Sequence, residues 1–313
     1  MLKCRSKTAY DFAYISRPRS RNRAGGDCRM TQQNRAILLM IGAIFCFSIM
    51  DVSVKAVAPD IGVLPALWAR YAGQMLLVFV LVLPRLKYVV RTRYPALQFL
   101  RSILLMSATA FFFTGLSLIP LTDAAALMST NPVLITLGAA LFLGEALGVR
   151  RVAGIVVALV GAMIVIRPGS DVFSLSALLP LAAAACYSGY ALLTRHVGSD
   201  EDIWTSLFYT GLVGTVLLSI AVPFMWKTPD LAGFGLMIAI ALAGTLGQLA
   251  LIRAFSQGEA AILAPYSYVG LAFAAFWGFL FFAEKPDFWT IFGSLVIAGA
   301  GLYVWHRETY AKR

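Results

Sequence analysis

The chain has 313 residues, of which 60% are hydrophobic and only 13% charged, and its formal net charge is +11. Its charges gather in short clusters between long apolar runs, a pattern that excludes a water-soluble globule of this length. The positive balance does not point to nucleic acid, because the lysines and arginines fall where membrane topology would put them.

Residues 1–35 are basic and polar, carry nine lysines and arginines, and lack the apolar stretch of a signal peptide, so a disordered cytoplasmic tail is expected, with Met30 an alternative start. From Ala36 onward, apolar runs of about 20 residues recur, the length that a hydrocarbon core about 30 Å thick demands of a helix. They predict an all-α polytopic membrane protein with ten transmembrane helices, near 36–57, 64–84, 97–119, 122–144, 150–167, 174–195, 203–224, 231–254, 259–282 and 288–306. A barrel would instead show alternating runs of about 10 residues. Pro65, Pro132, Pro180 and Pro265 fall inside these segments and predict kinks.

Helix 1 carries Asp51 and Lys55, four residues apart and so on one helix face, roughly with Ser48. Arg70 enters helix 2 at a similar depth. Charges inside apolar helices cost several kcal/mol unless paired or facing water. The three residues are therefore either a static ion pair locking helices 1 and 2 or part of a ligand-binding or gating device. In helix 4, Asn131 stands beside Pro132, and in helix 8 Gln248 lies near mid-membrane. Each is either interhelical glue, typically worth about 0.6 kcal/mol, or part of a polar site.

Tyr187 and Tyr190, three apart, share a face of helix 6, and with Trp68, Tyr266 and Tyr268 they form an aromatic set. Such rings either stack on a planar heteroaromatic ligand or serve as interface anchors and core. Glu145 and Glu284 close helices 4 and 9, where the helix dipole disfavours a carboxylate; they are expected to be structural, neutralised by Arg150 and Arg151 and by Lys285. Gly154 and Gly161 on helix 5, with Gly293, Gly299 and Gly301 on helix 10, predict close helix packing and a possible homodimer surface.

The tail, the loop with Arg85, Lys87, Arg91 and Arg93, and the positions Arg150, Arg151, Arg195, Arg253, Arg307, Lys312 and Arg313 fall on one side if the tail is cytoplasmic. The opposite side receives Lys55, Arg70, Arg167, Lys227 and Lys285, so the positive-inside rule places both termini in the cytoplasm. A shift of 139 residues superimposes the first five helices on the last five, pairing Ser117 with Ser256, Ala125 with Ala264, Phe142 with Phe281, Glu145 with Glu284 and Gly154 with Gly293. A duplicated five-helix unit must insert its second copy upside down, which gives repeats at 36–168 and 173–307 and a cytoplasmic C-terminus at 308–313. Inverted repeats are a common plan for secondary transporters that work by alternating access.

Enzyme readings fail on their residues. The one acidic cluster, Asp200 to Asp202, is a solvated loop face and not a pair of metal motifs, and His196 and His306 sit at helix ends with no nucleophile beside them. Cys4, Cys28, Cys46 and Cys186 lack ligand spacing, and no nucleotide-binding loop is present, so neither metal nor cofactor is expected. A channel or membrane scaffold is the rival class; a carrier saturates and shows counterflow, and a pore does not.

The runs NPVLITLGAALFLGEALGVRRVAGIVVALVGAMIVIRPG (131–169) and APYSYVGLAFAAFWGFLFFAEKPDFWTIFGSLVIAGAGLYVW (264–305) resemble the two EamA-type units of the drug/metabolite transporter superfamily. Glu145 and Glu284 match that family's glutamate at the end of the fourth helix of each unit. Within the superfamily, FSIMDVSVK (47–55), Arg70, LRSILL (100–105) and APYSY (264–268) look most like bacterial riboflavin and S-adenosylmethionine transporters. The resemblance implies transport of a small organic metabolite across a bacterial inner membrane, riboflavin uptake first, with S-adenosylmethionine uptake or metabolite export as alternatives. Asp51 is the expected proton-coupling group.

Overall fold

Apolar segments of this length can satisfy their backbone polar groups only internally, and in the computed structural model, which describes residues 24–143, 149–167, 175–197, 201–257 and 263–310, they are helices, with no strand among the described residues. In chain order they are α1 (Ala24–Ile61), α2 (Val63–Val82), the short α3 (Leu86–Val89), α4 (Pro95–Leu118), α5 (Leu121–Met128), α6 (Asn131–Leu143) and α7 (Val149–Ile166). The second half contributes α8 (Leu178–Val197), α9 (Ile203–Ala221), α10 (Leu231–Gln257), α11 (Val269–Phe282) and α12 (Phe288–Tyr310). Six of the described segments, 34–61, 63–89, 95–118, 175–194, 203–224 and 231–254, are long and apolar enough to cross a membrane, with mean hydropathy from 1.5 to 2.3. Shorter apolar helices cover 152–166, 266–282 and 288–304.

Three boundaries differ from expectation, each for a physical reason. Helix α1 starts at Ala24 and ends at Ile61, so part of the expected tail is helical; its Met, Gln and Arg residues propagate a helix once the apolar span nucleates one. Expected helix 4 is two helices, interrupted at Ser129 and Thr130. Pro132, anticipated as a kink, lies instead in the first turn of α6, where a missing N–H costs nothing. Expected helix 9 opens with a tight 3-10 stretch, Ala264–Tyr268, before α11 begins. Shifted by 139 residues, Tyr268 falls on Ser129, so both halves lose regular α-helix at the same place. Residues 1–23 and Glu145 lie outside the described residues.

The two halves pack crosswise. α1 lies against α10 and α4 against α8, so the first helix of each half contacts the third of the other. α2 pairs with α9, and α7 with α12. α1 also meets α11, as α8 meets α5 and α6, so exchanging the halves maps these pairings onto themselves. The outer surface is apolar, with Leu38, Leu76, Leu231 and Leu295 more than 60% exposed, as lipid-facing side chains must be.

The glycine stripe is used inside the chain. A Cβ on Gly293 of α12 would lie 2.6 Å from Val165 Cγ2 and 2.8 Å from the Gly161 carbonyl of α7, and one on Gly154 would lie 2.3 Å from Val304 Cγ2. Small residues here let two backbones touch. Gly301 accommodates Tyr268, whereas Gly299 faces open space.

We call the end of the bundle where α1 begins proximal and the other distal. The turn from α1 to α2 is distal, and Gly62 takes φ +86° there, donating its N–H to Ala58 to close α1.

Candidate binding cavity

A cavity of about 300 Å³ lies among α1, α2, α4, α8, α10 and the interrupted helices of both halves, at the lower end of the range for small-molecule sites. Asp51, in α1, is ten residues from the distal end of its helix and so about 15 Å deep. That is deeper than a helix ending at residue 57 would place it, because α1 continues four residues past the predicted end. Arg70 is seven residues, about 10 Å, into α2. Both line the cavity, as do Asn131, Tyr187, Gln248 and Tyr268, so the fold gathers six of the ten predicted site residues around one space.

Each is placed by its surroundings. Arg70 is 7% exposed; its Nη1 donates to Thr109 Oγ1, and its guanidinium carbon lies 5.4 Å from the Tyr71 ring and 5.9 Å from that of Phe113. Its Nε and Asp51 Oδ1 are buried without a hydrogen-bond partner. Asn131 Oδ1 accepts from Ser188 Oγ at 2.9 Å, tying the start of α6 to α8. The Tyr187 ring leans on that of Tyr190 at 5.5 Å. Tyr268 lines the cavity, but its hydroxyl abuts Gly301 and finds no partner there.

The other four lie elsewhere. Trp68 faces α9 instead, donating Nε1–H to Ser219 Oγ at 2.9 Å and meeting the Trp226 ring edge-on. Tyr266 packs against the proximal apolar cluster of Ala36, Met40, Ala254 and Leu263. Tyr190 accepts at its hydroxyl from Arg101 Nη2 at 3.2 Å. Lys55 does not pair with Asp51, as spacing suggested, nor does Lys285 neutralise Glu284. Lys55 Nζ reaches Glu284 Oε1 at 2.9 Å and donates to the carbonyls of Leu116 and Ile119 at 3.0 and 2.6 Å.

That contact is the centre of a distal lock between the halves. Glu284 Oε2 accepts the Leu121 N–H at 2.8 Å, Arg167 pairs with Asp287 at 2.6 Å, and Thr290 Oγ1 donates to Asp123 at 2.8 Å. Among the described residues, the non-glycine residues with positive φ are Arg167 and Ala283, and both belong to this lock. Ala283, at φ +52°, ends α11 so that Glu284 N–H bonds the Gly278 carbonyl and the carboxylate turns back toward Lys55.

A second polar network was missed. Arg101, 5% exposed in α4, donates Nε–H to Thr194 at 2.7 Å and Nη1–H to Gln98 at 3.1 Å. Gln98 donates on to Glu201 Oε2 at 3.0 Å. Burial raises the Glu201 carboxyl, but hydrogen bonds from Thr92, the Arg93 backbone and Gln98 outweigh it and hold the group below the ordinary carboxylate range. The available signal was an arginine six residues inside an apolar helix, the same signal that singled out Arg70. Among the described residues, no three His, Cys, Asp or Glu side chains gather as metal ligands.

Comparison with known proteins matches this chain twice, over 34–167 and 174–305, to a family model described as the EamA-like transporter family. The pseudopaline exporter CntI of Pseudomonas aeruginosa is 31% identical over 84% of this chain and 93% of its own. The riboflavin transporter of Rhizobium johnstonii is 30% identical over 75% of this chain and 80% of its own, and the S-adenosylmethionine uptake transporter of Rickettsia bellii 28% identical over 72% and 77%. A crystal structure described only as that of a protein superposes with a TM-score of 0.61 at 18% identity, over 89% of this chain and 99% of that one, which shows the fold alone.

Proposed function

Since the chain belongs to the EamA-like transporter family, we propose that it is a secondary carrier that moves a small organic metabolite across the bacterial inner membrane by alternating access. Ten membrane helices in two inverted repeats, with both termini cytoplasmic, carry the movement. The observation that supports this reading best is the paired interruption of the fourth helix in each half, at Ser129–Thr130 and at Ala264–Tyr268, with residues of both interruptions lining the same cavity. Discontinuous helices at the junction of two repeats free backbone groups for cargo and provide the points about which the halves can rock.

The two ends are held by different contacts. Distally, Lys55–Glu284 and Arg167–Asp287 join the halves through charge. Proximally, an apolar cluster packs α1 against α10, and Arg101 joins α4 to α8. Opening the distal end requires the charges to part and hydrate, while the proximal contacts hold. This favours Lys55 and Glu284 as gating residues over a purely structural pair.

Riboflavin and S-adenosylmethionine are the first cargoes to test, and export is the alternative direction. Labelled riboflavin and S-adenosylmethionine should be supplied to proteoliposomes of the purified full chain. The expected result is saturable flux of one of them with counterflow. Non-saturable flux without counterflow would overturn the carrier reading in favour of a channel.

A further inference from the structure

Asp51 and Arg70 place a carboxyl and a guanidinium at the wall of one apolar cavity and yet make no direct ion pair with each other. Among the described residues, the ion pairs formed are Lys55 with Glu284 and Arg167 with Asp287. Asp51 Oδ1 and Arg70 Nε are each buried with no hydrogen-bond partner. A pair retained only to lock α1 to α2 would close on itself, because unpaired charges in a low dielectric are costly.

The position of Arg70 is fixed from several sides. Thr109 Oγ1 takes one terminal nitrogen while itself donating to the Leu105 carbonyl, and the rings of Tyr71 and Phe113 flank the guanidinium. On the α10 side, Gly244 leaves the room required; a Cβ there would lie 3.0 Å from Met50 Sδ and 3.5 Å from Arg70 Cγ. The guanidinium is thus held with part of its donor fork unused, which is the arrangement that suits a carboxylate.

We propose that the cavity recognises metabolites bearing an amino carboxylate: the ligand's carboxylate lies on Arg70, its protonated amine on Asp51, and its remaining body along Phe112, Tyr187 and Gln248. This rests on the carrier reading and narrows its cargo. A zwitterionic head group sets an opposite charge beside each of these two cavity-lining side chains and adds no net charge of its own. Riboflavin carries neither group and offers Asp51 and Arg70 no ionic partner.

The test uses the purified full chain in proteoliposomes preloaded with labelled S-adenosylmethionine. Trans-side competitors are S-adenosylmethionine, its decarboxylated form, which lacks the carboxylate, the S-methyl sulfonium of methylthioadenosine, which keeps the sulfonium but lacks both carboxylate and amine, and riboflavin. The wild type should prefer S-adenosylmethionine over the decarboxylated form by about 10- to 100-fold, the range expected for a hydrogen bond to a charged group. In Arg70→Gln this preference should fall to nearly one, and Arg70→Lys should restore part of it. Asp51→Asn should erase the preference for the decarboxylated form over the amine-free sulfonium. Equal competition by all four compounds in the wild type, which needs no variant, would overturn the assignment. So would saturable riboflavin counterflow indifferent to Arg70→Gln, although the carrier reading would survive it. Absence of counterflow with every compound would instead sink the carrier reading itself.

Discussion

Replacing Lys55 by Met should release the distal lock while leaving the fold intact. The side chains of Lys55 and Glu284 are only 13% and 18% exposed, and the substitution strands the Glu284 carboxylate together with the carbonyls of Leu116 and Ile119 that Lys55 serves. Removing one partner of a buried pair costs about 3–5 kcal/mol, and residual water at this site favours the lower end. When the distal end opens, Glu284 hydrates and recovers most of that cost, so the penalty falls on the closed state. At 1.36 kcal/mol per decade, about 3 kcal/mol shifts the equilibrium toward the open state by about 150-fold. A single cysteine at Ser129 on the cavity wall, in a background without the four native cysteines, reports the change through its labelling rate with a membrane-impermeant maleimide on intact cells. The rate should rise at least tenfold in Lys55→Met and fall back in Lys55→Met/Glu284→Met, because two apolar chains close more readily than one orphaned charge. An unchanged rate in the single variant, or a double variant as reactive as the single, would refute the gating role.

Ala283→Gly removes a Cβ from a left-handed residue, relieving about 1–2 kcal/mol and losing about 0.4–1 kcal/mol to the freer unfolded chain. Its thermal midpoint in detergent should rise by a few degrees, and a fall would show that Ala283 is not strained. Gly293→Ala must push into Val165 and the Gly161 carbonyl and should sharply reduce the yield of folded protein, whereas Gly299→Ala, facing open space, should be neutral; equal yields on size exclusion would contradict the close approach. Because the Glu201 carboxyl is held below its ordinary range, it stabilises the folded state above that range and loses this effect as pH falls through its folded value. Thermal scans of wild type and Glu201→Gln should therefore differ at pH 7 and begin to converge only as pH is lowered below 4.5, and parallel curves would remove Glu201 from the account.

Bilayer-length apolar runs made the helices legible, since a span in lipid has few alternatives to helix. The broken fourth helix was hidden because Pro132 reads alike as a kink within a helix and as the first turn of a new one; only the packing of Asn131 on Ser188 decides. Spacing of four favoured Asp51 with Lys55, but Glu284, 229 residues away in sequence, is the partner, and no local pattern encodes so distant a contact. More of the charged and amide candidates than of the aromatic ones line the cavity. Asp51, Arg70, Asn131 and Gln248 reach the cavity because polar groups in a bundle turn from lipid, whereas Trp68 and Tyr266 are amphipathic enough to be useful on several faces.

Among the described residues, neither α7 nor α12 contributes to the cavity wall, although their glycines bring the backbones of the two halves into close approach. On the proposed carrier reading, specificity and scaffold draw on separate parts of the sequence. Cargo preference can drift through the residues facing the cavity while the strut that keeps the halves in register is left untouched, a division of labour that lets one architecture serve chemically unlike solutes.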